Sequence, residues 1–121
     1  MPHLTLEYSR NLASALDVDA VLAHVNRVLA ASGHFQEADI KSRAIGFEHV
    51  AIGTSLAPRG FVHAKLAILA GRSPEVKRAL AGSVLAALRE RITAPAGLQL
   101  QLCVEMLEID GPSYAKDTID G

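Results

Sequence analysis

The chain has no tryptophan and only two tyrosines and three phenylalanines in 121 residues, which weakens any reading in which nucleic-acid bases stack on aromatic side chains. A single cysteine, Cys103, excludes an intramolecular disulfide and fits a reducing compartment. No sign of charge dominates. Twelve Lys and Arg stand against thirteen Asp and Glu, for a formal net charge of −1, so neither a nucleic-acid footprint nor a polybasic membrane-binding stretch is expected. Long apolar runs are missing, and the longest falls well short of the roughly 20 residues that cross a bilayer. The opening residues carry no charged n-region, long h-region or small-residue cleavage site, so no secretory signal is read. These absences predict a soluble, cytoplasmic protein that partners neither nucleic acid nor membrane. The length fits a single domain over residues 1–121 that buries most of its unfolded surface.

Metal chemistry finds little support. The histidines His3, His24, His34, His49 and His63 fall at no HxH or HExxH spacing, and Cys103 joins no zinc pattern. His3 and His63 read as packing or hydrogen-bonding residues. Mid-strand, Cys103 reads as a small buried hydrophobe rather than a nucleophile.

What is present is a repeated order. Residues 2–9 alternate as a strand, with Pro2, Leu4, Leu6 and Tyr8 on one face and His3, Thr5 and Glu7 on the other. Asp17-Val18-Asp19 marks a helix start, apolar residues follow at helical spacing from Val21 to Leu29, and Gly33 supplies a stop. Ile40 to Phe47 reads as a second strand interrupted by Gly46. After a Gly/Pro-marked loop, residues 61–70 form a third strand. Ser73-Pro74-Glu75 then starts a second helix, carried to about Thr93 by Val76, Leu80, Val84, Leu88 and Ile92. Leu98 to Ile109 forms a last strand, and the polar tail from Asp110 reads as an arm or a loosely ordered segment. The expected architecture is two β-α-β units in a four-stranded mixed sheet, with two helices on one face, an α+β or α/β fold. One layer of helices leaves the other sheet face bare, free to be solvated or to pack against further copies in a closed oligomer.

Four residues are candidates for chemistry. Pro2 directly follows Met1, and removal of Met1 would leave a secondary amine. An α-amino group ordinarily titrates at about 7.7–8.0, so a modest downward push makes it a neutral base near pH 7. A proline at a strand's first position also simply tolerates its missing N–H. Lys41 and Arg43 share one face of the second strand, with Ser42 opposite. Arg72 stands just before the second helix, whose N-terminal N–H groups favour anions, and a guanidinium there makes a two-part carboxylate site. Solvated surface charge is the alternative for all three cations.

Pro2, the Ile40-Lys41-Ser42-Arg43 stretch and the block from Phe61-Val62-His63 to Gly71-Arg72-Ser73-Pro74-Glu75 together resemble the 5-carboxymethyl-2-hydroxymuconate isomerases. These are a branch of the tautomerase superfamily whose members use an N-terminal proline. The likeness runs from Met1-Pro2-His3 to the last strand. It implies a homotrimer of such chains with the sheets inside. It also implies cofactor-free conversion of a carboxylated dienol to its conjugated keto isomer, a step in bacterial homoprotocatechuate degradation. By the same resemblance Pro2 is the catalytic base, while Arg43 and Arg72, with Lys41, hold the carboxylates of a small anionic substrate and polarise its 2-oxo group. Lys41 departs from an arginine common in the family; it keeps the charge and loses the bidentate fork. Burial and neighbouring cations both disfavour a protonated amine, so the proposed surroundings would lower the pKa of Pro2. Two alternatives stay open: a tautomerase of a simpler 2-keto acid enol, and a non-enzymatic oligomeric module that binds anions.

Overall fold

Leu4 and Leu6 are fully buried while His3, Thr5 and Glu7 keep partial exposure, the period-two pattern of a strand with one face on a core. The computed structural model, which describes residues 1–121, forms β1 from His3–Ser9. Pro2 lies just outside it, having no N–H for the ladder. Helix α1 spans Val18–Ala31; the Asp17 side chain accepts from the Ala20 N–H, and Val21, Val25 and Leu29 form the buried stripe. The chain leaves through Gly33 at φ 80°, a left-handed value suited to glycine. A short 3-10 turn, Glu37–Asp39, then leads into β2, Lys41–Phe47. Gly46 does not interrupt the strand but pairs with Tyr8, and a Cβ there would come within 2.8 Å of the Tyr8 and Arg10 side chains.

The second half repeats this plan. Strand β3 spans Arg59–Leu69 and starts two residues before the sequence pattern suggests, since Gly60 continues the pairing. Helix α2 spans Pro74–Arg91; Ser73 accepts from the Val76 N–H, and Leu80, Val84, Ala87 and Leu88 are buried. Strand β4 spans Gln99–Ile109.

The sheet order is β2-β1-β3-β4. Each unit pairs its own strands in parallel, and β1 meets β3 antiparallel, which is the expected mixed sheet. Both helices cover one face, and 17 buried apolar residues from sheet and helices form the core. Each fully buried leucine there contributes on the order of 1.5–3 kcal/mol over an exposed one. The uncovered face carries Lys65 paired with Glu7 and His63 paired with Glu105. Cys103 also lies on this face and is exposed, which corrects its expected burial. Alternation along β4 puts Leu102 and Val104 on the helices and turns the residue between them outward. No helix is long and apolar enough to cross a membrane.

Candidate active site

The parallel pairing of β1 and β2 brings the first candidates together. The Pro2 carbonyl accepts from the Lys41 N–H at 3.2 Å, fastening the start of β2 to the start of β1. The register sets Lys41 beside His3 and Arg43 beside Thr5, so both cations stand on the face away from the helices. Ser42 between them turns inward and hydrogen-bonds Asn26 of α1. The Pro2 ring is fully buried.

Arg43 Nη2 donates to His3 Nδ1 at 2.7 Å, and His3 Nε2 lies 3.0 Å from the Tyr114 hydroxyl. A guanidinium has no acceptor, so Nδ1 must offer its lone pair. The imidazole is then neutral and carries its proton on Nε2, which donates to Tyr114. The surroundings agree: burial, then the charges of Arg43 and Lys41 and the N-terminal amine, hold His3 below its ordinary value.

Asp39 ends the 3-10 turn before β2. Its Oδ1 accepts from Lys116 Nζ at 2.5 Å, while its Oδ2 lies 4.0 Å from the N-terminal amine, which here belongs to Met1. Lys41 Nζ donates to the Asp39 carbonyl at 3.2 Å. Burial pushes the N-terminal amine below its ordinary value; Asp39 opposes that, and Lys41, Lys116 and Arg72 reinforce it. The hydrogen bond from Lys116 is the main reason that the Asp39 carboxyl titrates lower than usual, and the same pair raises Lys116.

Arg72 is fixed against the α1–β2 connection. Its Nη2 donates to the His34 carbonyl at 3.0 Å, and its guanidinium lies 5.0 Å over the Phe35 ring. Of the N–H groups at the start of α2, that of Val76 is taken by Ser73. The structure thus gathers Pro2, Lys41 and Arg72 about the chain's N-terminus, where the two cations act on the amine. Arg43 joins one step removed, through His3, and is not among the charges that depress the amine.

Sequence reasoning missed the tail. Beyond the 3-10 turn Gly111–Ser113 the chain returns to the start of β1, bringing Tyr114 to His3 and Lys116 to Asp39. A cavity of about 420 Å³ results, bounded by Asp39, Lys41, Tyr114, Lys116, Thr118 and Ile119 among others. Gly111-Pro112 signals a turn, but nothing local says where the turn leads. A second cavity, of about 450 Å³, lies along residues 50–59, where Arg59 is the only charged lining residue. Three residues of the first cavity, Asp39, Lys41 and Lys116, also act on the Met1 amine, which is held toward its neutral form. That setting suits removing a proton from an anionic acid and holding the anion that forms.

The family model of the 5-carboxymethyl-2-hydroxymuconate isomerases matches residues 2–120. The 5-carboxymethyl-2-hydroxymuconate Delta-isomerase of Escherichia coli is 38% identical over 85 residues, which are 70% of this chain and 67% of that protein. A crystal structure of a 5-carboxymethyl-2-hydroxymuconate isomerase from Deinococcus radiodurans R1 superimposes with a TM-score of 0.87 at 35% identity, covering 98% of this chain and 90% of the other. The fused 4-OT wild-type symmetric trimer Q0 shares the fold, with a TM-score of 0.63 at 14% identity over 94% of this chain and 90% of that one.

Proposed function

The chain belongs to the 5-carboxymethyl-2-hydroxymuconate isomerase family, and from that premise we propose that it converts 5-carboxymethyl-2-hydroxymuconate, or a dienol of the same carboxylated class, to the conjugated keto isomer. The observation that carries this reading is the terminus itself: the Met1 amine, one residue ahead of the buried Pro2 ring, is desolvated and flanked by Lys41, Lys116 and Arg72. While Met1 is attached, the Pro2 nitrogen is a tertiary amide and carries no proton. Once Met1 is removed, the nitrogen is a secondary amine whose ring is already seated at the edge of the core.

The chemistry is a rearrangement of protons and double bonds. Pro2 takes the proton from the 2-hydroxyl, the oxygen's electron pair forms the C2=O bond, and the two carbon–carbon double bonds collapse to one between C3 and C4. A proton is then delivered to C5, so atoms and electrons balance without an oxidant. Lys41 and Arg72 stabilise the charge that develops on the dienolate and its carboxylates, and Arg43, held by His3, presents a further cation. Charge-assisted contacts of this kind also fix the dienol relative to the base. We place this reaction in the cytoplasmic breakdown of aromatic acids such as homoprotocatechuate.

The working form is taken to be a homotrimer with the uncovered sheet face inside. Ile45 is 52% exposed and Leu107 40% exposed in the single chain, and burying them against further copies would remove apolar surface from water. Sedimentation should then give three times the chain mass of 12.8 kDa. The decisive assay follows the keto product formed by protein lacking Met1, before and after the terminal amine is acylated. Acylation should abolish turnover and leave the oligomer unchanged; full turnover in the acylated protein overturns the reading.

A further inference from the structure

The terminal amine has one acidic neighbour. Asp39 Oδ2 stands 4.0 Å away, close enough to stabilise a protonated amine and so to oppose the desolvation that keeps it neutral. Yet the other oxygen of the same carboxylate is held at 2.5 Å by Lys116, a residue 77 positions later in the chain, on the tail that bounds the cavity. The closer contact is to Lys116, so the charge of this one carboxylate is shared and largely offset before it acts on the amine. The remaining charged or titratable groups here are Lys41 on β2, Arg72 after β3, His3 on β1, which is neutral, and Tyr114 and Asp117 on the tail, which line the same cavity. Among the charges that act on the amine, Asp39 is the one that favours protonation, and Lys116 is the group that holds it.

We propose that Lys116 is a positioning residue for catalysis, one that reaches back from the C-terminal tail to pair with the Asp39 carboxylate, offsets its charge at the terminus and so keeps the terminal amine free to act as a base. The proposal rests on the reading of Pro2 as the base. It survives removal of Met1, because one residue spans at most about 3.8 Å and the new terminus stays within about 8 Å of Asp39. Without Lys116 the carboxylate charge acts unopposed on the amine, which then holds its proton to higher pH.

The test titrates the amine directly, by NMR of protein lacking Met1 and carrying [15N]proline, alongside the pH profile of kcat/KM. Lys116→Met should raise the amine's titration point by about 0.5–1.5 pH units, the range spanned by a unit charge at this distance between aqueous and protein-like screening. Asp39→Asn should lower it. In the Asp39→Asn background, Lys116→Met should move the amine less than half as far, because the lysine acts through the aspartate. Lys116→Arg, which can still hold the carboxylate, should stay at the wild-type value. No shift in Lys116→Met overturns the proposal, and so does an equal shift in both backgrounds, which would make Lys116 a plain distant charge. If the NMR shifts appear as expected while the acid limb of kcat/KM stays put, the positioning role stands and the assignment of Pro2 as base is what fails.

Discussion

Pro2 and Pro58 occupy the same place in the two halves of the fold. Each directly precedes the first strand of its unit, and each lends its carbonyl to the first N–H of that unit's second strand, Lys41 at 3.2 Å and Gln99 at 3.1 Å. Their surroundings differ in every chemical respect. Pro2 is fully buried, and Lys41, Arg72 and Lys116 act on the Met1 amine next to it. Pro58 is exposed, and the one cation near it, Arg59, donates to the Ile52 carbonyl at 3.2 Å. Pro58 is also an interior residue, so its nitrogen is always an amide. A duplicated backbone thus supplies two similar strand starts, and on the proposed reading only the first becomes a base, once Met1 is removed.

The comparison breaks most visibly at the nitrogen. Placing one extra residue ahead of Pro2, in protein otherwise lacking Met1, removes the base and should lower kcat by about 10²- to 10⁴-fold, the usual contribution of a positioned general base. One extra glycine between Ala57 and Pro58 lengthens a surface loop and should leave kcat within about threefold, because loop length is thermodynamically inexpensive. Equal losses in the two insertions would mean that the strand starts matter for folding rather than for chemistry. A smaller difference separates the next matched pair. Lys41→Ala removes a charge-assisted contact and should lower kcat/KM by about 10- to 100-fold, whereas Gln99→Ala at the corresponding position should change it by less than about twofold. Steady-state kinetics on the purified variants reads both.

The duplication was legible in the sequence because each unit repeats the same local signals. Alternation in residues 61–70 and the Ser73-Pro74-Glu75 start depend on neighbours a few positions away, and they held to within one or two residues. The β-α-β order places Lys41 at the N-terminus by setting the start of β2 beside the start of β1, and the antiparallel pairing of β1 with β3 brings the end of β3, and so Arg72, to the same place. The other half of the surroundings was hidden. Tyr114 reaches His3 across 111 positions, and Lys116 reaches Asp39 across 77. A polar segment after Gly111-Pro112 reads the same whether it docks or drifts, because contacts of that range leave no periodicity. Cys103 shows the reverse: cysteine in general favours the interior, but alternation along β4 turns this one outward.

The finest test of the comparison uses acid. His3 and Arg59 hold matching positions, since His3 pairs with Lys41 and Arg59 with Gln99, yet only His3 can titrate near neutrality. Its fold-stabilised form is the neutral imidazole that accepts from Arg43, so its folded pKa lies below the ordinary 6.5. Between those two values the unfolded chain binds more protons than the folded one, and stability rises with pH there. The contribution is fully present above about pH 6.5 and is lost as pH falls toward the lowered folded value. His3→Gln removes this titration while keeping a polar side chain of similar reach, so the fall in Tm between pH 7.5 and 5.5 should shrink by about 2 °C. Arg59→Gln should leave that fall unchanged, and the Asp39–Lys116 pair does not interfere, because the lowered Asp39 titrates beneath its ordinary 3.8. An unchanged fall in His3→Gln would mean that Arg43 is held by something other than the neutral imidazole, and the two strand starts would then respond to acid alike.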